Sequence, residues 1–219
     1  MLGPDPRRDL RRDTARLSHY LQECRAFASL RGFKHFNVFM RGREEFLLCT
    51  PASKDTLFDP RDDQLKKRHR TCTVLLFTGY ARYKCPYVYF RSYPDQDNMT
   101  HSDDPLTLKT TDDWRRQDVA LWKMVLEVLT LVMKKPGPRN PFQVDLQYID
   151  SRPPEEGALL SASLLNFLET IWLQADPNLE QELIDQVYED IKALQLRHVD
   201  HVYEHITSAG KTDQKKEQA

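Results

Sequence analysis

The order in which two kinds of apolar spacing follow each other constrains the fold of this chain more than any other feature. Strand-like alternation is concentrated in residues 33–93, and helix-like spacing of apolar residues prevails after residue 112. Strands that follow one another directly pair antiparallel, because a parallel pair needs a crossover of a dozen or more residues. The segregation predicts an α+β fold with an antiparallel sheet.

The predicted elements follow from these patterns and from the residues that punctuate them. The strand-like stretches cover residues 33–40, 45–50, 71–83, 87–93 and 141–149. The helix-like stretches cover residues 7–30, 112–134, 156–174 and 178–206. We therefore expect an N-terminal helix, a four-stranded antiparallel meander, and then helices packed on one face with a long C-terminal helix. The predicted core comprises Phe77, Val88, Phe90, Trp122, Leu126 and Leu129.

The same patterns divide the chain into a core and an extension. Residues 1–175 contain every predicted strand and are interpreted as one α+β core domain. Residues 176–208 form a helical extension, and residues 209–219 are predicted to be a disordered tail because they contain almost no apolar side chains.

Composition and charge exclude several classes of protein. The formal net charge is −1, so bulk electrostatics do not favour nucleic-acid binding. The opening residues are polar and do not resemble a signal peptide, and the apolar stretch Val119–Met133 is too short and too interrupted to span a membrane. We expect a cytoplasmic or nuclear protein that does not enter a membrane.

The four cysteines do not form a metal-binding or disulfide pattern. Cys24, Cys49, Cys72 and Cys85 include no C-x-x-C pair. Cys85 follows a lysine, and a neighbouring cation can lower the pKa of a thiol, so this residue is a candidate nucleophile. The alternative is that Cys85 simply packs at the start of a strand.

Three histidines share one face of the last predicted helix. His198, His201 and His205 are spaced as i, i+3 and i+7, and imidazole is a common ligand of zinc and nickel. The alternative is a solvated polar stripe. We predict neither a cofactor nor a metal, and the role of the histidines remains open.

Two clusters of basic residues could contact phosphates or acidic partners. The first, at residues 7–16, includes Arg8 and Arg12; the second, at residues 66–70, includes Lys66, Lys67 and Arg70. Acidic residues interleave with both clusters, so a solvated surface explains them equally well. A nucleic-acid-associated subunit is therefore kept as an alternative function.

Several short motifs occur in an order that is found in a known family. They are the stretch from Tyr80 to Arg91, Pro105-Leu106-Thr107-Leu108, Trp114, and Pro141-Phe142-Gln143-Val144. Over residues 15–175 the chain resembles the autophagy conjugating enzymes, which pass a ubiquitin-like modifier onto a target protein. The resemblance implies a catalytic cysteine a few residues after the P-F-x-V motif. No cysteine follows Cys85, so the resemblance implies a relative that has lost catalysis.

We therefore predict a non-catalytic protein–protein interaction module on a conjugating-enzyme-like scaffold, acting as a subunit of a larger complex. An active conjugating enzyme that uses the Cys85 thiol is the other alternative. The predicted partner-binding residues lie on the fourth strand and on the last helix: Tyr87, Tyr89, Arg91, Tyr188, Ile191 and Val202. The oligomeric state is not predicted.

Overall fold

The computed structural model describes residues 6–51, 72–79, 85–92, 104–114, 116–117, 119–133, 138–175 and 181–216. The elements in chain order are α1 (Pro6–Ser29), β1 (Asn37–Met40), β2 (Glu45–Pro51), β3 (Cys72–Thr78), β4 (Tyr87–Ser92), α2 (Lys109–Trp114), α3 (Leu121–Val132), α4 (Leu146–Asp150), α5 (Pro154–Leu173) and α6 (Gln181–Lys216). This order confirms the α+β class, with an N-terminal helix, a four-stranded sheet and a long C-terminal helix.

The sheet is the predicted antiparallel meander. Its strand order is β1-β2-β3-β4, and each neighbouring pair is antiparallel. Gly42 turns the chain between β1 and β2 with a φ of 78°, a conformation that glycine adopts without steric cost. The Arg41 N–H donates to the Glu45 carbonyl and closes this turn. The hairpin at residues 33–50 thus forms where alternation predicted it, although its first strand begins at Asn37.

The chain divides into two compact units, one formed by Met1–Ser29 with His35–Gly137 and one by Leu30–Lys34 with Pro138–Ala219. In the first unit α1 packs on the sheet. Phe27 of α1 contacts Phe36 and Phe46, and Phe46 stacks on Phe77 with ring centroids 4.4 Å apart. Four of the six predicted core residues are buried, whereas Leu126 and Phe90 are only half-buried.

In the second unit α5 and α6 form an antiparallel helical hairpin. Gly157 near the start of α5 faces His201 of α6, and Trp172 near its end stacks on Tyr188. The buried layer between the helices is mainly aliphatic: Leu164, Leu168, Ile171, Leu183, Val187, Ile191 and Leu194. The predicted boundary between a core domain ending at residue 175 and a helical extension falls between these two helices, which pack within one unit.

The single helix predicted at residues 112–134 is wrong, because two helices, α2 and α3, occupy this region. Side chains of α1 form hydrogen bonds with main-chain groups at the break between α2 and α3. Arg16 donates to the carbonyls of Trp114 and Gln117, and the Glu23 carboxylate accepts from the Leu121 N–H at the start of α3. Burial raises the pKa of Glu23.

The strand predicted at residues 141–149 is also wrong. Only Val144 pairs with another segment, as an isolated antiparallel bridge to Phe33. The Asp145 carboxylate then accepts from the Tyr148 N–H and caps the short helix α4. The last helix continues to Lys216 instead of ending at Ile206, so it includes most of the segment that was predicted to be a disordered tail.

Candidate functional site

Exposed apolar side chains are concentrated on the helical hairpin of the second unit. Of the ten large hydrophobic residues that are exposed in the described part of the chain, eight belong to α5 or α6. They are Leu159, Trp172, Leu173, Tyr188, Leu196, Val199, Tyr203 and Ile206. Scattered exposed apolar residues are normal, but a contiguous apolar patch marks an interaction surface. The hairpin is therefore the candidate site.

Four of these residues form one line along α6, which we call the outer stripe: Leu196, Val199, Tyr203 and Ile206. Their separations of three, four and three residues match the a and d positions of a heptad repeat. At 100° per residue they fall within an arc of about 80°. Each is between 64% and 70% exposed.

The outer stripe lies on the side of α6 opposite to α5. The side that faces α5 presents Val187, Ile191 and Leu194, all of them buried. Helical geometry places the centre of this buried row roughly 130° from the centre of the outer stripe. α6 is therefore apolar on two sides, and only one of them is covered by α5.

The helix also extends beyond its partner. Gly157 lies one turn after the start of α5 and faces His201, whereas α6 continues to Lys216. Roughly the last three turns of α6 therefore extend past the first residue of α5. Ile206 of the outer stripe lies on this extended part.

The predicted partner-binding residues of α6 have different environments. Tyr188 is exposed, stacks on Trp172 with ring centroids 5.9 Å apart, and has the Lys192 ammonium 5.0 Å from its ring centre. Val202 is half-buried at the edge of the helix. Ile191 is only 5% exposed because it packs towards α5, so its side chain is part of the hairpin core.

The predicted residues of β4 belong to the first unit. Tyr87, Tyr89 and Arg91 share one face of this edge strand and are half-buried, with the Arg91 guanidinium 5.1 Å from the Tyr89 ring centre. The Leu106 N–H donates to the Val88 carbonyl at 2.7 Å. The sheet edge beyond β4 is thus partly occupied by the chain itself.

The three histidines of α6 do not form a metal site. His198 Nδ1 donates to the Ala158 carbonyl at 3.1 Å and lies 3.0 Å from Ser161 Oγ. His201 is 7% exposed and packs against Gly157, whereas His205 is exposed. No group of three or more potential metal ligands occurs within the described ranges.

The other candidate groups lie elsewhere. Cys85 is buried, at 5% exposure. Burial raises the pKa of the Cys24 thiol to about 12. The side chains of Arg8 and Arg12, and all of residues 66–70, lie outside the described residues.

No helix in the part of the chain that the structure describes is long and apolar enough to cross a membrane.

A buried polar contact connects α6 to the loop before α4. The buried Asn140 side chain donates to Asp190 at 2.9 Å, and its own carbonyl oxygen accepts from the Phe142 N–H. Burial is the largest influence on Asp190 and raises its pKa to about 6, although bonds from Val144 and Asn140 and the charge of Lys34 act in the opposite direction.

We expect Asp190→Asn to remove a pH dependence of stability. The folded state holds its proton up to a pH of about 6, whereas an unfolded aspartate releases it near 3.8. The stabilisation from this group is complete below pH 3.8 and is lost as the pH rises through about 6. Because the Asp190 carboxyl is partly exposed, this pH-dependent change in the free energy of unfolding is limited to about 1 kcal/mol. Urea unfolding at several pH values should show wild type losing stability relative to Asp190→Asn across this range; parallel profiles would contradict the prediction.

Sequence reasoning predicted Tyr188, which is exposed, but did not identify the outer stripe as a surface. The available signal was the presence of two apolar series in one helix, one through Val187, Ile191 and Leu194 and one through Leu196, Val199, Tyr203 and Ile206. One helix neighbour covers one side. A second apolar side on the same helix therefore indicates a second contact.

The comparisons with known proteins identify a family without a described activity. A family model described as "Domain of unknown function (DUF7886)" matches residues 59–200, which is more than half of the chain. No curated protein and no solved structure matches it. The matched region runs from the segment before β3 into α6 and includes Leu196 and Val199. The chain therefore belongs to the DUF7886 family.

Proposed function

We propose that this protein is a non-catalytic protein–protein interaction module, a subunit of a larger complex, that binds its partner through the outer stripe of α6. The observation behind the proposal is that Leu196, Val199, Tyr203 and Ile206 are aligned, apolar and at least 64% exposed. A helix with apolar residues at heptad spacing is a common element of helix–helix recognition.

The energetics of the outer stripe suit a binding surface. Fully burying one large apolar side chain contributes about 1.5–3 kcal/mol, so four mostly exposed side chains supply roughly 4–8 kcal/mol when a partner covers them. Association costs absorb part of this gain. Because these costs amount to about 4–15 kcal/mol, contacts from residues that flank the stripe must supply the rest of the binding free energy.

The conjugating-enzyme-like scaffold remains part of the proposal. Its support is the order of elements, a leading helix followed by a four-stranded meander and then helices, together with the motifs through Pro141-Phe142-Gln143-Val144. The absence of a cysteine after that motif supports a binding role over transfer of a modifier. The burial of Cys85 favours packing over nucleophilic attack, because an attacking thiolate must be accessible.

Charge substitutions in the outer stripe test the proposal. We expect Val199→Asp combined with Tyr203→Asp to weaken partner binding by at least about 100-fold, because two carboxylates would be buried against an apolar partner. Since both side chains are exposed, stability should change by no more than about 0.5 kcal/mol each. Tagged protein should be purified from the native host and the co-purifying proteins quantified by mass spectrometry, with urea unfolding as the folding control.

Two matched variants make the experiment specific. Leu131→Asp introduces the same change at an α3 residue of similar exposure, 61%, and should leave the co-purifying proteins unchanged. Cys85→Ser should also leave them unchanged. Equal partner recovery by wild type and the outer-stripe variant would rule out this surface. A thioester-linked protein that is released by reducing agent and lost in Cys85→Ser would instead establish the thiol enzyme.

A further inference from the structure

The charges beside the outer stripe narrow the chemistry of its partner. Asp200 and Glu204 are both exposed and lie on the same side of the stripe. Asp200 borders the stripe directly, and Glu204 lies one turn further along and farther from the apolar line; we call this pair the acidic edge. The opposite edge presents Gln195 and Val202, which are uncharged. Neither acidic residue has an ion-pair partner within the described residues. The surface is therefore an apolar line with a negative charge on one side.

Two cations of α6 whose side chains are described, Arg197 and Lys192, are already engaged. Arg197 bonds to Asp150 with its Nε at 3.1 Å, which draws the guanidinium towards α4. Lys192 pairs with Glu189 at 2.6 Å. The charge of the acidic edge is thus left for a partner to neutralise, whereas the other charged groups of this part of α6 are paired within the chain.

We propose that the occupant of the outer stripe is an amphipathic α-helix of another protein with lysine or arginine beside its own apolar stripe. This inference rests on the proposed function. In a helix pair the residues that flank the apolar seam decide partner choice through their charges. A basic flank facing Asp200 and Glu204 gives the electrostatic complementarity that the surface lacks by itself.

A second copy of the chain fits this surface less well. In an antiparallel pair, Leu196 would face Ile206 of the other copy, and both Asp200 carboxylates would lie on the same side near the two-fold axis. Like charges that face each other across a helix pair are destabilising. In a parallel pair Asp200 would approach Gln195 or Val202 of the other copy. Neither arrangement brings a cation to the acidic edge.

An anionic membrane surface is a poorer occupant for the same reason. Helices that lie in the membrane interface place lysine and arginine beside their apolar face, where they attract lipid headgroups. Asp200 and Glu204 occupy that position here and would repel them. The charge of the edge therefore favours a basic helix.

Two synthetic peptides test the inference directly. Both are helices about three heptads long with the same leucine and isoleucine seam, and they differ only in having lysine or glutamate at the flanking positions. Binding of the fluorescent peptides to the full chain is measured by anisotropy. We expect the lysine peptide to bind at least about tenfold more tightly, equivalent to about 1.4 kcal/mol, and expect this preference to shrink at high salt.

Charge reversal on the protein completes the design. Asp200→Lys should weaken the preference for the lysine peptide, and adding Glu204→Lys should reverse it. Glu169→Lys, on the exposed side of α5, makes the same charge change as Asp200→Lys and should leave the preference intact. Equal binding of both peptides, preference for the glutamate peptide, no binding of the lysine peptide, or a concentration-dependent dimer of the protein alone would overturn the inference.

The outcomes also separate this inference from the proposed function. If Val199→Asp removes peptide binding while both peptides bind wild type equally, the outer stripe is a binding surface but the partner is not selected by charge. If Val199→Asp leaves peptide binding and partner recovery unchanged, the proposed function itself fails.

Discussion

Replacing Phe142 with alanine is expected to reduce the free energy of unfolding by about 3–5 kcal/mol. Phe142 is completely buried, and its ring lies 5.4 Å from that of Phe167 and 6.5 Å from that of Phe33, both in edge-on arrangements. Its removal eliminates these aromatic contacts and leaves a cavity. The loss is measured by urea denaturation with circular dichroism.

A conservative substitution at the same position controls for the size of the effect. Phe142→Leu retains most of the apolar volume and should cost less than half as much as Phe142→Ala. A loss of less than about 1 kcal/mol for the alanine variant would mean that the rings of Phe33, Phe142 and Phe167 do not form the core of the second unit.

Gly157→Ala is expected to destabilise the α5–α6 hairpin, although helix propensity alone predicts a gain of about 1 kcal/mol. A Cβ at residue 157 would lie 2.6 Å from Cε1 of His201, which is closer than two carbon atoms can approach. His201 is buried, with 7% of its surface exposed, so moving its imidazole away from residue 157 requires its neighbours to shift as well. Such overpacking costs about 1–3 kcal/mol in addition to the lost gain from propensity.

A double substitution identifies His201 as the cause. Removing the ring with His201→Ala should make Gly157→Ala neutral or stabilising, and the coupling energy is obtained from urea unfolding of the four proteins in the cycle. If Gly157→Ala is as harmful without the imidazole as with it, the close approach of the two residues does not explain the glycine.

The parts of the fold that depend on local pattern could be predicted from the sequence. Alternation placed β2 and β4 within about a residue of their ends, and the turn at Gly42 predicted the first hairpin. The break between α2 and α3 could not be predicted, because it depends on Arg16 and Glu23, about a hundred residues earlier in the chain. Asp145 is a local capping signal that an apolar run obscured.

The candidate site, too, could be predicted from the sequence only where local pattern decides the structure. Periodicity identified α6 and indicated Tyr188, but it could not tell which apolar side of the helix packs against a neighbour. Ile191 and Val199 have similar chemistry in the sequence; α5 covers the first and leaves the second exposed. Burial of a residue on a doubly apolar helix is decided by tertiary contacts, which spacing alone does not reveal.

Site-specific photo-crosslinking in the native host tests the central claim most directly. A benzophenone amino acid replaces Tyr203 in the outer stripe, and the same group replaces Leu131 as a control of similar exposure. If the outer stripe binds a protein, position 203 gives a discrete adduct with another polypeptide, Val199→Asp in the same chain removes it, and position 131 does not give it. Absence of an adduct at 203, or the same adducts at both positions, would contradict the proposed function.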